Sequence, residues 1–235
     1  MILKAGCTGG RAEDMIPWVV WLAGSLVLLI AGVVAGWRVL ARRHALPCPT
    51  ACLWLLENRL MDRVAGSRVL LDRAGVEAGM TVLDAGCGAG RLTLPLAERV
   101  GPRGHVLALD LQEAMLGRLT ARLQARAVQH VRLLHAGLGG GALPADTFDR
   151  AFLVTVLGEI PDRLAALREI RGSLKPGGIL SITEVFPDPH YQGRGTVRQL
   201  GEQAGFHVLE TIGNWRAFTV NLRRPGSAPS RLPVM

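Results

Sequence analysis

The sequence is poor in the materials that several function classes need. It has one Tyr and five Phe among 235 residues, and only Lys4 and Lys175 among its 27 basic side chains are lysines. The arginines are scattered rather than grouped, and so few aromatics leave no surface on which bases could stack, so a formal charge of +8 does not point to nucleic acid. The four cysteines, Cys7, Cys48, Cys52 and Cys87, show no paired zinc spacing and are too few for a disulfide scaffold. Cys48 and Cys52 form a C-x-x-x-C, but with no second pair and only His44 close by, no metal site is expected. There is no internal repeat. With 49% hydrophobic residues, the chain has material for one sizeable core plus appendages.

One stretch lacks charge altogether. From Met15 to Trp37, "MIPWVVWLAGSLVLLIAGVVAGW" runs 23 residues without an ionisable carboxylate or base, and a bilayer core needs about 20. Trp18, Trp21 and Trp37 stand at its two ends, with Arg38, Arg42 and Arg43 just beyond. This reads as a single transmembrane helix. The arginines place everything after it in the cytoplasm. A cleavable signal peptide and a buried core helix are the competing readings. Pro47 and Pro49 end the span, and Leu53, Leu56, Leu60 and Val64 then recur at amphipathic-helix spacing. The organisation expected is a tail over 1–14, the span over 15–37, a juxtamembrane linker with an amphipathic helix over 38–69, a globular domain over 70–224 and a disordered tail over 225–235.

From Gly79 the text alternates short β-rich runs with helical ones. Strands are expected at Thr81 to Ala85, His105 to Asp110, Val131 to His135, Arg150 to Val156, Ile179 to Val185, Phe206 to Thr211 and Ala217 to Leu222. Helices are expected at Arg91 to Val100, Gln112 to Arg126, Asp162 to Leu174 and Thr196 to Ala204, with none between the third and fourth strands. The pattern predicts an α/β fold, a Rossmann-like, seven-stranded and mostly parallel sheet. Its last two strands, joined through "GNW", form an antiparallel hairpin.

The segment "VLDAGCGAGRL" carries the chemistry. Glycines at alternate positions weaken a strand and supply no side chain to pack, so Gly86, Gly88 and Gly90 mark a turn that something approaches closely. A dinucleotide fingerprint would space them G-x-G-x-x-G, and here the spacing is G-x-G-x-G. Asp110 ends the next strand, where the two hydroxyls of a ribose could donate to it.

These residues resemble the class I S-adenosylmethionine-dependent methyltransferases. "VLDAGCGAG" is similar to that family's first motif, "HVLALD" to its second strand with the ribose acid, and "LREIRGSLKPGGIL" to the helix and turn entering its fifth strand. The resemblance covers Leu70 to Arg224 and implies S-adenosyl-L-methionine as cofactor. It implies that Asp84, Ala85 and the backbone through Gly86, Cys87, Gly88 and Gly90 face the cofactor's amino-acid end, that Asp110 takes the ribose, and that Leu111 and Met115 lie near the adenine. The family commonly carries an acid after the third strand, whereas this chain reads "HAGLGGGALP", with none before Asp146. Backbone around Gly137 and Leu138 is expected to meet the adenine instead.

Methyl transfer from a sulfonium is an in-line displacement and needs alignment and exclusion of water, with a base only where the nucleophile carries a proton. Glu159, Glu184 and His190 are the catalytic candidates, with Asp188 beside them, because they follow the fourth and fifth strands. A helix cap at Glu159 and an ordinary turn at "PDPHY" are the plain alternatives. The expected function is a membrane-anchored methyltransferase of a small, hydrophobic or lipidic acceptor. A methyltransferase of soluble molecules merely held at the membrane and a non-catalytic cofactor-binding scaffold are the other readings.

Overall fold

Val82 and Phe152 belong to one apolar cluster while their neighbours Leu83, Ala85, Ala151 and Leu153 belong to another, all of them buried. Successive strand residues point to opposite faces, so these central strands are covered on both sides, which is why they read as continuous apolar runs. The structure, a computed structural model, describes residues 18, 20–29, 32–33, 36, 66–186 and 188–226. The chain divides into two compact units, Met1–His44 and Ala45–Met235.

In the second unit the elements are α1 (Ser67–Arg73), β1 (Thr81–Ala85), α2 (Thr93–Val100), β2 (His105–Asp110), α3 (Glu113–Ala125), β3 (Val131–His135), β4 (Phe148–Val154), a 3-10 turn (Leu157–Glu159), α4 (Arg163–Ser173), β5 (Leu174–Val185), α5 (Arg194–Gln203), β6 (His207–Gly213) and β7 (Ala217–Arg223). The seven strands form one sheet in the order β3-β2-β1-β4-β5-β7-β6. β1 to β5 run parallel to one another, and β7 lies antiparallel between β5 and β6. The order reverses at β1, which pairs with β2 on one side and β4 on the other, and an open parallel sheet takes its ligand at such a point.

The sheet and hairpin match the sequence reading, with shifts at strand ends, among them β6, which runs His207–Gly213 rather than Phe206 to Thr211. β4 runs Phe148–Val154 rather than Arg150 to Val156. β5 begins at Leu174, five residues earlier than expected, because Phe148 pairs with Leu174 ahead of an irregularity in the ladder. Asp162, not Glu159, caps α4, its carboxylate accepting from the Ala165 N–H at 2.9 Å.

Part of the apolar run at 15–37 lies outside the described residues. Residues 20–29 are helical with exposed side chains, and no helix among the described residues is long and apolar enough to cross a membrane. The amphipathic helix expected after Pro49 and the tail from residue 227 lie outside the described residues.

Candidate functional site

The turn after β1 is tied to β2 by its backbone. The N–H groups of Gly86 and Cys87 both donate to the Leu109 carbonyl, at 2.7 and 3.0 Å, and the Gly88 N–H donates to Asp110 Oδ2 at 2.8 Å. Asp110 Oδ1 accepts from the Gln112 N–H at 2.8 Å. The carboxylate thus fixes the glycine turn on one side and the entry to α3 on the other, and each oxygen keeps a lone pair for a further donor.

The three glycines are required for three different reasons. A Cβ on Gly86 would lie 2.4 Å from Val156 Cγ2, and one on Gly90 would lie 2.4 Å from Leu119 Cδ1 in α3. Gly88, at φ +52, would meet nothing within 4 Å among the described residues, because its missing side chain faces open space. That space is a cavity of about 230 Å³ lined by Gly86, Gly88 and Asp110, by Leu111, Gln112 and Met115 from the start of α3, by Ala136, Gly137 and Leu138 after β3, and by Thr155, Val156, Glu159, Ile160 and Pro161 after β4.

Of the residues expected from sequence, Gly86, Gly88, Asp110, Leu111, Met115, Gly137, Leu138 and Glu159 share this one cavity. Ala85, Cys87 and Gly90 are buried behind the wall. Asp84 is also buried, its Oδ2 accepting the Thr93 hydroxyl at 2.6 Å. Burial raises its carboxyl from 3.8 to about 6, the Thr93 hydrogen bond opposes that rise, and the neighbouring Asp110 adds to it. Burial raises the Cys87 thiol as well, helped by Asp84 and Asp110, so it is a protonated core group and no nucleophile. No cluster of three or more metal-ligating side chains occurs among the described residues.

Glu184 and His190 do not line the cavity. Both are buried, at 1% and 4% exposure. Glu184 Oε2 accepts from the Gln192 N–H at 3.1 Å, while Oε1 and His190 Nδ1 have no hydrogen-bond partner among the described residues. Burial pushes Glu184 from 4.5 up to about 8, against the Gln192 hydrogen bond; Asp188 and Glu159 raise it further and Arg163 lowers it. Asp188 makes the turn itself, its Oδ1 accepting the His190 N–H at 2.6 Å. This turn lies directly on the 3-10 segment beside Glu159, for a Cβ on Gly158 would fall 1.9 Å from the His190 carbonyl oxygen.

Sequence reasoning missed Thr155 and Thr93. Thr155 lines the cavity at φ +57, a left-handed conformation that a β-branched residue rarely adopts. It is held there by its N–H on the Thr183 carbonyl at 2.8 Å and its hydroxyl on the Val154 carbonyl at 2.7 Å. No local pattern signals such a residue.

The residues fit S-adenosylmethionine. Gly88 offers backbone where a Cβ would intrude, Asp110 offers acceptor capacity for a ribose, and Leu111, Met115, Leu138 and Ile160 offer apolar wall for a flat base.

Residues 82–178 match the methyltransferase domain family. The demethylmenaquinone methyltransferase of Geobacillus stearothermophilus is 36% identical over 110 residues, 47% of this chain and 47% of that protein. The chain spans about half the length of the curated relatives it matches. Among solved structures, an S-adenosylmethionine-dependent methyltransferase from Aquifex aeolicus is 25% identical with a TM-score of 0.69, covering 75% of this chain and 99% of its own. The [4+2]-cyclase SpnF, at 18% identity and TM-score 0.62 over 68% of this chain and 80% of its own, shares the fold. The second unit therefore has the fold of these methyltransferases, and its residues 82–178 match the methyltransferase domain family.

Proposed function

We propose that the chain is an S-adenosylmethionine-dependent methyltransferase acting on a small lipophilic acceptor, held at the membrane by the apolar run at 15–37 with the domain on the cytoplasmic side. The observation that carries the catalytic half is the cavity at the sheet's reversal point, where the Gly88 backbone, Asp110 and an apolar wall meet. The similarity to demethylmenaquinone methyltransferases supports the lipophilic acceptor, and the 23 uncharged residues support the anchor.

The cofactor supplies a methyl group on a sulfonium. The chain's own part is to bind and align. Asp110 orients a ribose through its carboxylate, the Gly88 N–H fixes that carboxylate, and Leu111 and Met115 keep water from the base. Glu159 is, with Asp110, one of the two carboxylates among the described residues that line the cavity, and it has no part in the ribose role given to Asp110. Glu184, raised to about 8, keeps its proton at neutral pH and supports the adjoining turn as a neutral group.

The test offers demethylmenaquinone, oxidised and reduced, to the full chain in detergent micelles with methyl-labelled cofactor. Label in the extracted quinone supports the reading. Label that enters only water-soluble acceptors of a cell extract would replace the lipophilic acceptor with a soluble one.

A further inference from the structure

Beside the cofactor cavity, on the same edge of the sheet, stands a second group of side chains that the cavity does not use. β5 ends at Val185, which pairs with Ala217 at the start of β7, so the 214–216 turn and the segment after β5 emerge together at the carboxyl end of the parallel strands. Phe186 N–H donates to the Arg216 carbonyl at 2.6 Å, and the Tyr191 hydroxyl donates to the Trp215 carbonyl at 2.9 Å. The Phe186 ring packs on Trp215 and Tyr191, with centroids 5.6 and 6.3 Å apart. Yet Trp215 remains 61% exposed and Phe186 42% exposed. The Arg216 guanidinium lies 5.0 Å over the Trp215 ring, and that of Arg194 lies 5.5 Å from the neighbouring Phe218.

We infer that Phe186, Trp215 and Arg216 form a surface that docks the domain on an anionic lipid bilayer. The inference rests on the lipophilic-acceptor reading and gives that acceptor a route, since the docked edge is the one on which the cavity opens. Trp is the side chain that settles at a membrane interface, with an apolar body and one donor. Arginines beside it complement anionic headgroups. A protein partner fits less well: a stable interface buries about 800 Å² on each side, far beyond two rings and a guanidinium. A bilayer needs no matching area, only rings that enter it and cations that stay at its surface.

The test uses the full chain with Trp18→Phe, Trp21→Phe, Trp37→Phe and Trp54→Phe, which leaves Trp215 as the only tryptophan. It is mixed with phosphatidylglycerol vesicles or phosphatidylcholine vesicles, each with brominated acyl chains. Trp215 emission is expected to shift blue and be quenched in the first, to respond far less in the second, and to lose its quenching with Arg216→Glu while circular dichroism stays unchanged. Unquenched Trp215 in both vesicles overturns the assignment, whether or not the chain sediments with them. So does equal quenching by both, or a concentration-dependent blue shift without lipid, which would assign the patch to a second copy. Failure of label transfer to a lipophilic acceptor in micelles would sink the functional reading and leave the quenching result standing.

Discussion

Asp110 does two jobs with one carboxylate: it pins the glycine turn and α3 through two N–H groups, and it faces the cavity. Asp110→Ala is therefore expected to weaken cofactor binding by about tenfold or more, as the loss of charge-assisted hydrogen bonds implies. Unchanged affinity by calorimetry would contradict the ribose role. Glu184 is different, because its oxygens look inward. The unfolded chain ionises it near 4.5 and the folded one near 8, so between those values the folded state holds the extra proton. Stability from this group is complete below 4.5 and is lost as pH rises through 8. Glu184→Gln keeps an acceptor for the Gln192 N–H but cannot ionise. Urea unfolding should show it more stable than the native protein at pH 8, by on the order of 2 kcal/mol, and the two close to equal at pH 5. Parallel stability curves would mean that Glu184 is not held protonated. The sequence placed Glu184 and His190 beside a pocket from their position after a strand, but position alone does not tell which polar group at a strand end turns into the core.

The elements β1, β2 and β3 were legible to the residue, because their short β-rich runs stop abruptly at Gly86, at Asp110 and at the glycine-bearing segment after His135. The start of β5 was not, since "LKPGG" reads locally as a turn and only pairing with Phe148 extends the strand back to Leu174. The glycine turn was legible as a tight turn after β1, but not that its three glycines answer to different neighbours. That difference separates two variants. Gly88→Ala places a methyl group in open cavity and strains one residue at φ +52, so it should lose cofactor affinity while costing about 1–2 kcal/mol of stability. Gly90→Ala drives a methyl group against Leu119 at φ +90 and should cost roughly 2–4 kcal/mol of stability. Thermal unfolding and calorimetric titration of the pair check this, and equal behaviour of the two would show that the turn has no ligand-facing side.

For the whole molecule, the apolar run and the second unit should make separable contributions. Removing residues 1–46 should leave cofactor affinity unchanged and lower turnover on vesicle-held acceptor steeply, with recovery when an unrelated membrane helix is fused back, since only effective concentration has changed. Equal turnover by the shortened and full chains on vesicles would end the anchor's role in delivery. The central claim, methyl transfer from this cavity to a lipophilic acceptor, is tested most directly by incubating the full chain with methyl-labelled S-adenosylmethionine and a total membrane lipid extract, then separating organic from aqueous phases. The account predicts label in the organic phase, dependent on protein and greatly reduced by Asp110→Ala at subsaturating cofactor. Label confined to the aqueous phase, or organic label indifferent to Asp110→Ala under those conditions, would contradict it.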